Sequence, residues 1–381
     1  MTSKRNILII FVFSLTLVHV KAQDSLSFKG QASVFTLVGD GNTLPLWSGG
    51  RYIPQLNYEI NLSETSLLDF EASANIWGSA GFRLFDSSSF IGSVSPYRLW
   101  ARYSSSRFEL RAGLQKINFG SASILRPLMW FDQTDNRDPL KLTEGVWGVL
   151  GRYYFQNNAN IWFWCLYGNE KKKGWELLNT VPNRPEFGGR IQFPLPSGEV
   201  AFSYHHRTSE GFPHLGYGNP DNYNPENRYG FDAKFDTKIG WWIEASLSDY
   251  KFTPEGVRDM LLLNLGADYT FGLGNGLIVI FEQLSAISPF EKGLNSDNFL
   301  TYSLISASYP LGMFDNINTV IYFDWKNRKS YNFITWHRNF NKFTLNLMGY
   351  INPDDYAIPL MGRSEISYAG KGVQVMLIFN H

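Results

Sequence analysis

The sequence predicts an all-β protein, a transmembrane antiparallel up-and-down β-barrel of about 18 strands, within a range of about 16 to 20. The evidence is an N-terminus typical of exported proteins, long segments that alternate with period two, and connections that alternate between short and long. Aromatic residues make up 16% of the 381 residues, and the formal net charge is zero. A neutral chain has no general attraction for nucleic acid, which we exclude as a partner.

The N-terminus has the features of a signal peptide. Lys4 and Arg5 precede an apolar run at residues 7–20, and Ala22 is a small residue at a suitable cleavage point. A membrane anchor is the alternative, but the run is too short for a spanning helix and Ser14 interrupts it. We expect residues 1–22 to be removed on export and residues 23–381 to form the barrel as one domain.

Period-two alternation is the main evidence for the strands. Within residues 67–76, Leu68 and Phe70 occupy one phase, while Asp69 and Glu71 occupy the other. Successive side chains of a strand point to opposite faces, so such a segment has one apolar and one polar face. The pattern recurs at residues 53–62, 108–114, 229–236, 261–271 and 373–380. Segments of about 9–12 residues have the length that a tilted strand needs to cross a bilayer.

The connections between these segments alternate in length, as in barrels with short turns at one rim and long loops at the other. The predicted short connections are residues 63–66, 104–106, 157–158, 195–198, 272–276 and 339–342. The predicted long connections are residues 39–51, 78–96, 118–144, 169–183 and 209–227. The sequence offers eighteen or nineteen candidate strands, and a barrel with both termini in the periplasm has an even number. One candidate is therefore expected to be wrong. The doubtful regions are residues 26–38 and the last hairpin, residues 364–380. Aromatic residues near strand ends, among them Trp77, Trp100 and Trp242, are expected at the membrane interface.

A soluble β-sandwich or β-propeller is the alternative fold class. Sandwich strands would be shorter, and a propeller would repeat about every 40–50 residues, a period that the sequence lacks. The single cysteine, Cys165, excludes an internal disulfide framework. Both observations favour the membrane barrel.

The polar phase of the predicted strands assigns charged side chains to the barrel interior. The inward arginines are Arg98, Arg102, Arg111, Arg152, Arg190, Arg207 and Arg228. The inward acids are Glu59, Asp69, Glu71, Asp232, Asp236, Glu244, Asp268, Glu282 and Asp324. Sequence order is angular order in a closed ring, so the arginines form one arc opposite a mostly acidic arc. Such charges either line a pore that selects among solutes or pair with one another inside a plugged barrel.

Residues 118–144 interrupt the alternation with a charged and aromatic stretch. Arg126, Asp132, Asp135 and Asp138 give this stretch polar partners of its own, which a loop needs if it is to enter a lumen. We therefore expect it to fold into the barrel, where the three aspartates would meet the arginines at positions 98, 102 and 111. A surface lid outside the membrane is the alternative.

The strand end Gly113-Leu114-Gln115-Lys116-Ile117-Asn118-Phe119-Gly120, followed by Arg126-Pro127 and Phe131-Asp132, resembles that of bacterial porins and porin-like outer-membrane proteins. The resemblance covers the mature chain in architecture and is to Gram-negative barrels, with a Bacteroidetes-type barrel as one option. It implies an outer-membrane location, a fifth-strand loop that narrows the lumen, and contact with membrane lipid and lipopolysaccharide. It also implies a homotrimer or an envelope-protein partner. The ending Phe379-Asn380-His381 departs from the aromatic last residue of many such barrels.

Other chemistry has less support in the sequence. Asp132, Asp135 and Asp138 lack the glycine and the distal glutamate of a helix–loop–helix calcium site, and His205 and His206 point to opposite faces of a strand. No Gly-x-Ser-x-Gly motif is present either. From these observations together we expect no enzymatic activity and no bound metal or cofactor.

The sequence leaves three functions open. The first is a passive channel for small polar or charged solutes, and the second is a non-conducting structural or assembly-partner barrel. The third is a transporter of hydrophobic substrates, with Trp130, Trp162 and Trp164 along its path.

Overall fold

A computed structural model describes residues 25–41, 44–83, 86–132, 134, 138–210, 223–251, 259–287, 299–354 and 368–381. The predicted signal peptide and Asp135 lie outside these residues. The described residues contain no helix long and apolar enough to cross a membrane.

The described part of the chain forms 18 strands, which confirms the predicted number. They are β1 (Ser25–Gly39), β2 (Leu46–Ser63), β3 (Ser66–Arg83), β4 (Ser87–Ser105), β5 (Phe108–Gln115), β6 (Val146–Tyr154), β7 (Asn160–Leu166), β8 (Glu186–Leu195), β9 (Gly198–Glu210), β10 (Tyr223–Asp236), β11 (Gly240–Tyr250), β12 (Met260–Phe271), β13 (Leu277–Ile287), β14 (Phe299–Pro310), β15 (Asp315–Asp324), β16 (Lys329–Asn339), β17 (Phe343–Ile351) and β18 (Lys371–Asn380).

Each strand pairs antiparallel with its neighbours in sequence, and β1 also pairs with β18. The first and last strands are in register from Gln31 opposite Asn380 to Gly39 opposite Gly372. This seam closes the sheet into a ring and confirms the up-and-down barrel. In the last predicted hairpin, residues 364–367 lie outside the described residues, and Tyr368 and Ala369 are irregular, so β18 is the strand there.

The short turns lie where the sequence predicts them, but three of the predicted long loops are wrong in extent, and in residues 209–227 both ends belong to β9 and β10. Most of residues 46–51 and 78–96 belong to β2, β3 and β4, which have 18, 18 and 19 residues. Glycine and serine made these stretches look like loops. Their backbones instead form a continuous ladder in which Gly78 lies opposite Gly92, because ladder hydrogen bonds need no particular side chain.

The wall of the barrel is uneven at the loop rim. Strands β5, β6 and β7 have only 8, 9 and 7 residues. Because β5 pairs with β4 only between positions 99 and 104, the first half of β4 rises beyond the end of β5. Two connections leave the wall at this low edge: the β5–β6 segment, residues 116–145, and the β7–β8 segment, residues 167–185.

The outer surface of the ring is apolar, as a bilayer requires. Side chains such as Phe163, Phe202, Leu265 and Val375 alternate with inward neighbours and leave 68%, 55%, 49% and 44% of their surface exposed. An apolar outward band on a closed antiparallel barrel is the architecture of outer-membrane proteins. The chain is an outer-membrane barrel by this architecture.

Candidate functional site in the barrel lumen

The β5–β6 segment is held by the carboxylate of Glu282. Three successive backbone amides donate to it: Ser123 to Oε1 at 2.6 Å, Leu125 to Oε2 at 2.6 Å, and Ile124 to both oxygens at 3.1 Å. Carboxylate–amide bonds of this kind are charge-assisted and stronger than neutral ones. Glu282 lies on the inward face of β13 and is fully buried, so this contact fastens the segment to the wall.

Glu244 on β11 makes the second fastening. Its Oε2 accepts the Ala122 amide at 2.7 Å, and its Oε1 accepts the Leu128 amide at 2.6 Å. The chain approaches this carboxylate closely at Gly120, where φ is +107° and a Cβ would lie 2.5 Å from Oε2. Only glycine therefore fits at that position without a shift.

The two fastenings place the β5–β6 segment across the barrel. It leaves the wall at the end of β5 and returns at the start of β6, while its middle contacts β11 and β13. In the strand order, β5 and β13 lie on nearly opposite sides of the ring. The segment thus spans the lumen between them.

An aromatic cluster packs the following part of the segment against the wall. The Phe131 ring centroid lies 4.9 Å from that of His205 and 5.4 Å from that of Trp164. Trp130 is 2% exposed, and its Nε1 donates to the Ser246 hydroxyl at 2.9 Å. Buried indoles usually find such a partner, and this one fixes the side chain on the β11 side of the lumen.

Among the charged residues of the segment, Arg126 and Asp132 are partners of each other. Arg126 pairs with Asp132 at 3.1 Å, within the segment itself. Arg126 also bonds to the side chain of Asn118, and the Asp138 carboxylate accepts the Leu140 amide at 3.0 Å. The aspartates were expected to meet the wall arginines, but a partner six positions away in the same loop is closer to Asp132.

The wall arginines fall into two groups, and three of those on β4, β5 and β6 are partly exposed. Arg102 forms two bonds with Asp69, at 2.9 and 2.7 Å. Arg111 and Arg152 lie 3.1 and 3.5 Å from the same oxygen of Glu109. The side chains of Arg102, Arg111 and Arg152 are 29%, 15% and 17% exposed. On the same arc, Arg98 is 6% exposed and donates to the carbonyl and hydroxyl oxygens of Thr143 at 2.9 and 2.8 Å.

The arginines on β8, β9 and β10 are buried in complete ion pairs. Arg190 bonds to Asp232 at 2.5 and 2.9 Å. Arg207, which is 0% exposed, contacts Glu226 at 2.5 Å and Glu176 at 3.2 Å. Glu176 belongs to the β7–β8 segment, so this network fastens a second segment inside the barrel.

Sequence reasoning missed this network for two different reasons. Glu226 lies two positions before Arg228 and shares its inward phase, so the alternation carried a usable signal. Glu176 lies in a connection without periodicity, and Arg228 contacts it at 3.0 Å only because the chain folds back. No local pattern marks a residue of that kind.

The lumen wall carries a buried apolar cluster, which the sequence analysis did not predict. The inward side chains of β13–β17, β1 and β2 include a buried aromatic and aliphatic cluster, formed by Leu37, Trp47, Leu284, Tyr302, Leu304, Tyr322, Tyr331, Phe333, Met348 and Tyr350. Leu125 belongs to the cluster, and Ile124 packs against it. Barrel interiors are usually polar, so assigning the polar phase to the lumen hid this face.

Three tryptophans expected at the membrane interface point into the lumen instead. Trp77 and Trp100 lie under arginines, with Arg51 Cζ 5.9 Å from the first ring and Arg111 Cζ 4.8 Å from the second. Trp242 is 3% exposed and donates to the Asn264 side chain at 3.2 Å. The position of an aromatic residue near a strand end suggested the interface, but its phase in the alternation decides the face.

Metal binding finds no support in the described part of the chain, where no group of three or more His, Cys, Asp or Glu side chains is placed to hold an ion. His205 contacts Glu186 at 3.2 Å inside the barrel, whereas His206 contacts Asn227 at 2.9 Å on the outer surface.

Comparison with known proteins shows a similarity of fold. No protein-family model matches the chain, and no curated protein matches its sequence. Among solved structures, OmpT, an outer-membrane protein of Vibrio cholerae in its trimer form, aligns with a TM-score of 0.51 and 10% identity over 94% of this chain and 99% of that one.

Two further structures align over similar lengths. OmpF of Salmonella typhi, in complex with daunomycin, has a TM-score of 0.49 and 10% identity over 93% of this chain and 97% of its own. An anion-selective porin of Comamonas acidovorans has a TM-score of 0.47 and 13% identity over 94% and 100%. The alignment with OmpT, which has the higher TM-score, shows that the chain has a fold similar to that of this outer-membrane protein.

Proposed function

We propose that the protein is a porin-like outer-membrane channel for passive diffusion of small polar or charged solutes, constricted by the β5–β6 segment. One observation carries the proposal: backbone amides of this segment bind two buried wall carboxylates, Glu244 and Glu282, on the far side of the lumen. A loop held in this way narrows the space through which a solute passes. The partly exposed Arg102, Arg111 and Arg152 supply a charged surface on the remaining wall.

The proposed constriction consists of charged residues of the wall and of the loop, and these residues have different roles. Arg102, Arg111 and Arg152 line the path, Arg98 holds the loop at Thr143, and Arg126 with Asp132 stiffens the loop. Asp135 and Asp138 belong to the proposed constriction by sequence. Arg190 and Arg207 support it from buried positions.

Transport of hydrophobic solutes is the second candidate, favoured by the apolar cluster on the lumen wall. Swelling of liposomes that contain the protein, measured with sugars, amino acids and apolar solutes of graded size, separates the two candidates. Faster entry of small polar solutes supports the channel. A sealed liposome for every solute would support a non-conducting structural barrel.

Removal of residues 121–138 tests the role of the segment. We expect single-channel conductance in planar bilayers to increase severalfold, because the lumen would lose the chain that crosses it. The heat-modified gel mobility of the shortened protein controls for correct folding. Unchanged conductance in a folded variant would place the segment outside the conducting path.

The proposal also covers the export of the protein and its contacts in the outer membrane. We propose that residues 1–22 are cleaved, that the barrel contacts membrane lipid and lipopolysaccharide, and that it forms a homotrimer or binds an envelope protein. N-terminal sequencing of the protein extracted from outer membranes tests the cleavage. Crosslinking in the same membranes tests the assembly.

A further inference from the structure

A groove runs across the outer surface of the barrel near the rim of long loops, where β15, β16, β17, β18 and β1 lie side by side. Its volume is about 800 Å³, and its lining is almost entirely apolar. The outward residues that line it include Val38, Ile321, Ile334, Gly349, Ile351 and Val373. The groove therefore belongs to the surface that faces hydrocarbon and not to the lumen.

Gly349 forms the floor of the groove. In the register it lies between Ile334 on β16 and Val373 on β18, whose surfaces are 53% and 50% exposed. The two flanking strands are about 10 Å apart, twice the spacing of neighbouring strands. A hydrocarbon chain between two walls makes contacts of about 3.5–4 Å on each side, so the gap has the width of one such chain.

The groove continues along β17 toward the loop rim. The next outward residue, Ile351, is 60% exposed and lies opposite Asn332 on one side and Lys371 on the other. Asp40 accepts the backbone amide of Lys371 at 2.5 Å, which joins the ends of β1 and β18. Because Lys371 and Asp40 bring opposite charges to this rim, attraction of a charged headgroup is not the basis for binding here.

The position of the groove decides which molecules reach it. Gly349 lies near the end of β17 that leads to a long connection, and long loops of outer-membrane barrels face the outside of the cell. The leaflet on that side of a Gram-negative outer membrane consists largely of lipopolysaccharide. Lipid chains are as apolar as the wall, so a chain gains van der Waals contact, rather than release from water, when it fills the groove.

We propose that the groove over Gly349 binds an acyl chain of one lipopolysaccharide molecule. The groove is continuous with the apolar outward band of the barrel, so the hydrocarbon of the membrane adjoins it along its length. The inference gives a place to the lipopolysaccharide contact proposed above and rests on that contact. It is independent of conductance through the lumen.

Two glycine substitutions test the groove. Among the described residues, a Cβ at Gly349 would meet only Ile334 Cγ2, at 3.6 Å, which is an ordinary van der Waals distance. Gly349→Leu therefore fits the strand and fills the groove with its own side chain. The matched control is Gly151→Leu, because Gly151 faces outward between Leu110 and Phe163, and its Cβ would meet only Leu110, at 3.9 Å.

The measurement is native mass spectrometry of each protein, purified from outer membranes and washed in the same mild detergent. We expect the unmodified protein and Gly151→Leu to retain one lipopolysaccharide molecule per chain. Gly349→Leu should retain about fivefold less, because the filled groove loses its contacts with the acyl chain. Heat-modified gel mobility controls for correct folding. Lipid-free protein, refolded in detergent and titrated with purified lipopolysaccharide or phosphatidylglycerol, identifies the source of the chain.

The outcomes separate the groove from the other proposals. Equal retention of lipopolysaccharide by the three proteins overturns the groove and leaves a general lipid contact in place. Binding of phosphatidylglycerol in place of lipopolysaccharide overturns the assigned ligand. A complex of several chains that forms with the unmodified protein but not with Gly349→Leu also overturns it, since the groove is then a contact between copies. Absence of conductance from all three proteins refutes the channel and leaves the groove unaffected.

Discussion

Replacement of Glu282 by glutamine tests the fastening of the β5–β6 segment at a single position. Glutamine keeps the size of the side chain but replaces one acceptor oxygen with an NH2 donor. In the unmodified protein three backbone amides share the carboxylate. In the variant at least one of these amides faces the new NH2 group, so either Ser123 or Leu125 loses its 2.6 Å bond.

The expected cost follows from the contacts. A buried N–H left without a partner costs about 1–3 kcal/mol, and each remaining bond loses about 1 kcal/mol when its acceptor is no longer charged. The total is about 3–5 kcal/mol, which favours release of the segment by about 100- to 4,000-fold, since about 1.4 kcal/mol is a factor of ten. We expect Glu282→Gln to conduct more and to fluctuate more between current levels than the unmodified protein.

The assay is single-channel recording in planar bilayers, with Glu199→Gln as the control. Glu199 is also a carboxylate on the wall, but its partner is the side chain of Gln192 on β8, at 2.5 Å. Identical current traces from Glu282→Gln, Glu199→Gln and the unmodified protein would refute the reasoning that this carboxylate fastens the constriction.

The remaining predictions concern stability. Glu176→Gln should markedly lower the temperature at which the barrel unfolds in the heat-modification assay, because leaving Arg207 partly unpaired in a buried network costs about 3–5 kcal/mol. The control, Lys171→Gln, lies on the exposed part of the same segment and should leave that temperature unchanged. Deletion of His381 should slow refolding into micelles, because its amide and carbonyl extend the closing seam to Gly30 at 3.0 and 3.1 Å; refolding at the rate of the full chain would contradict this role.

The fold could be predicted from the sequence because every strand repeats the same simple constraint. Leu68 and Asp69 must face lipid and lumen, respectively, in any antiparallel barrel, so the alternation reports the architecture directly. Strand ends were harder to place. Gly78 and Gly92 lie paired in a long hairpin, although glycine usually indicates a loop, because ladder hydrogen bonds depend on the backbone alone.

The site could be predicted only in outline. The inward phase identified Glu244 and Glu282, but their partners are backbone amides, and an amide has no residue type by which a sequence could reveal it. The apolar cluster on the lumen wall was hidden for a related reason. Tyr322 faces inward between Ile321 and Phe323, and Phe333 faces inward although Asn332 beside it is polar, so a rule that assigns apolar residues to lipid places both on the wrong side.

The two segments inside the barrel are fastened by different chemistry, and this difference decides which of them can move. Separating Arg207 from Glu176 would leave charges buried without a partner, whereas the amides of the β5–β6 segment can exchange their carboxylate bonds for bonds to water. The β5–β6 segment meets β13 through amides and the apolar contacts of Leu125, with no ion pair between the described residues at that contact. Glu282→Gln should therefore alter current while the barrel stays folded, and Glu176→Gln should alter unfolding first. If Glu282→Gln instead alters unfolding first and Glu176→Gln alters the current, the β7–β8 segment is the one that moves.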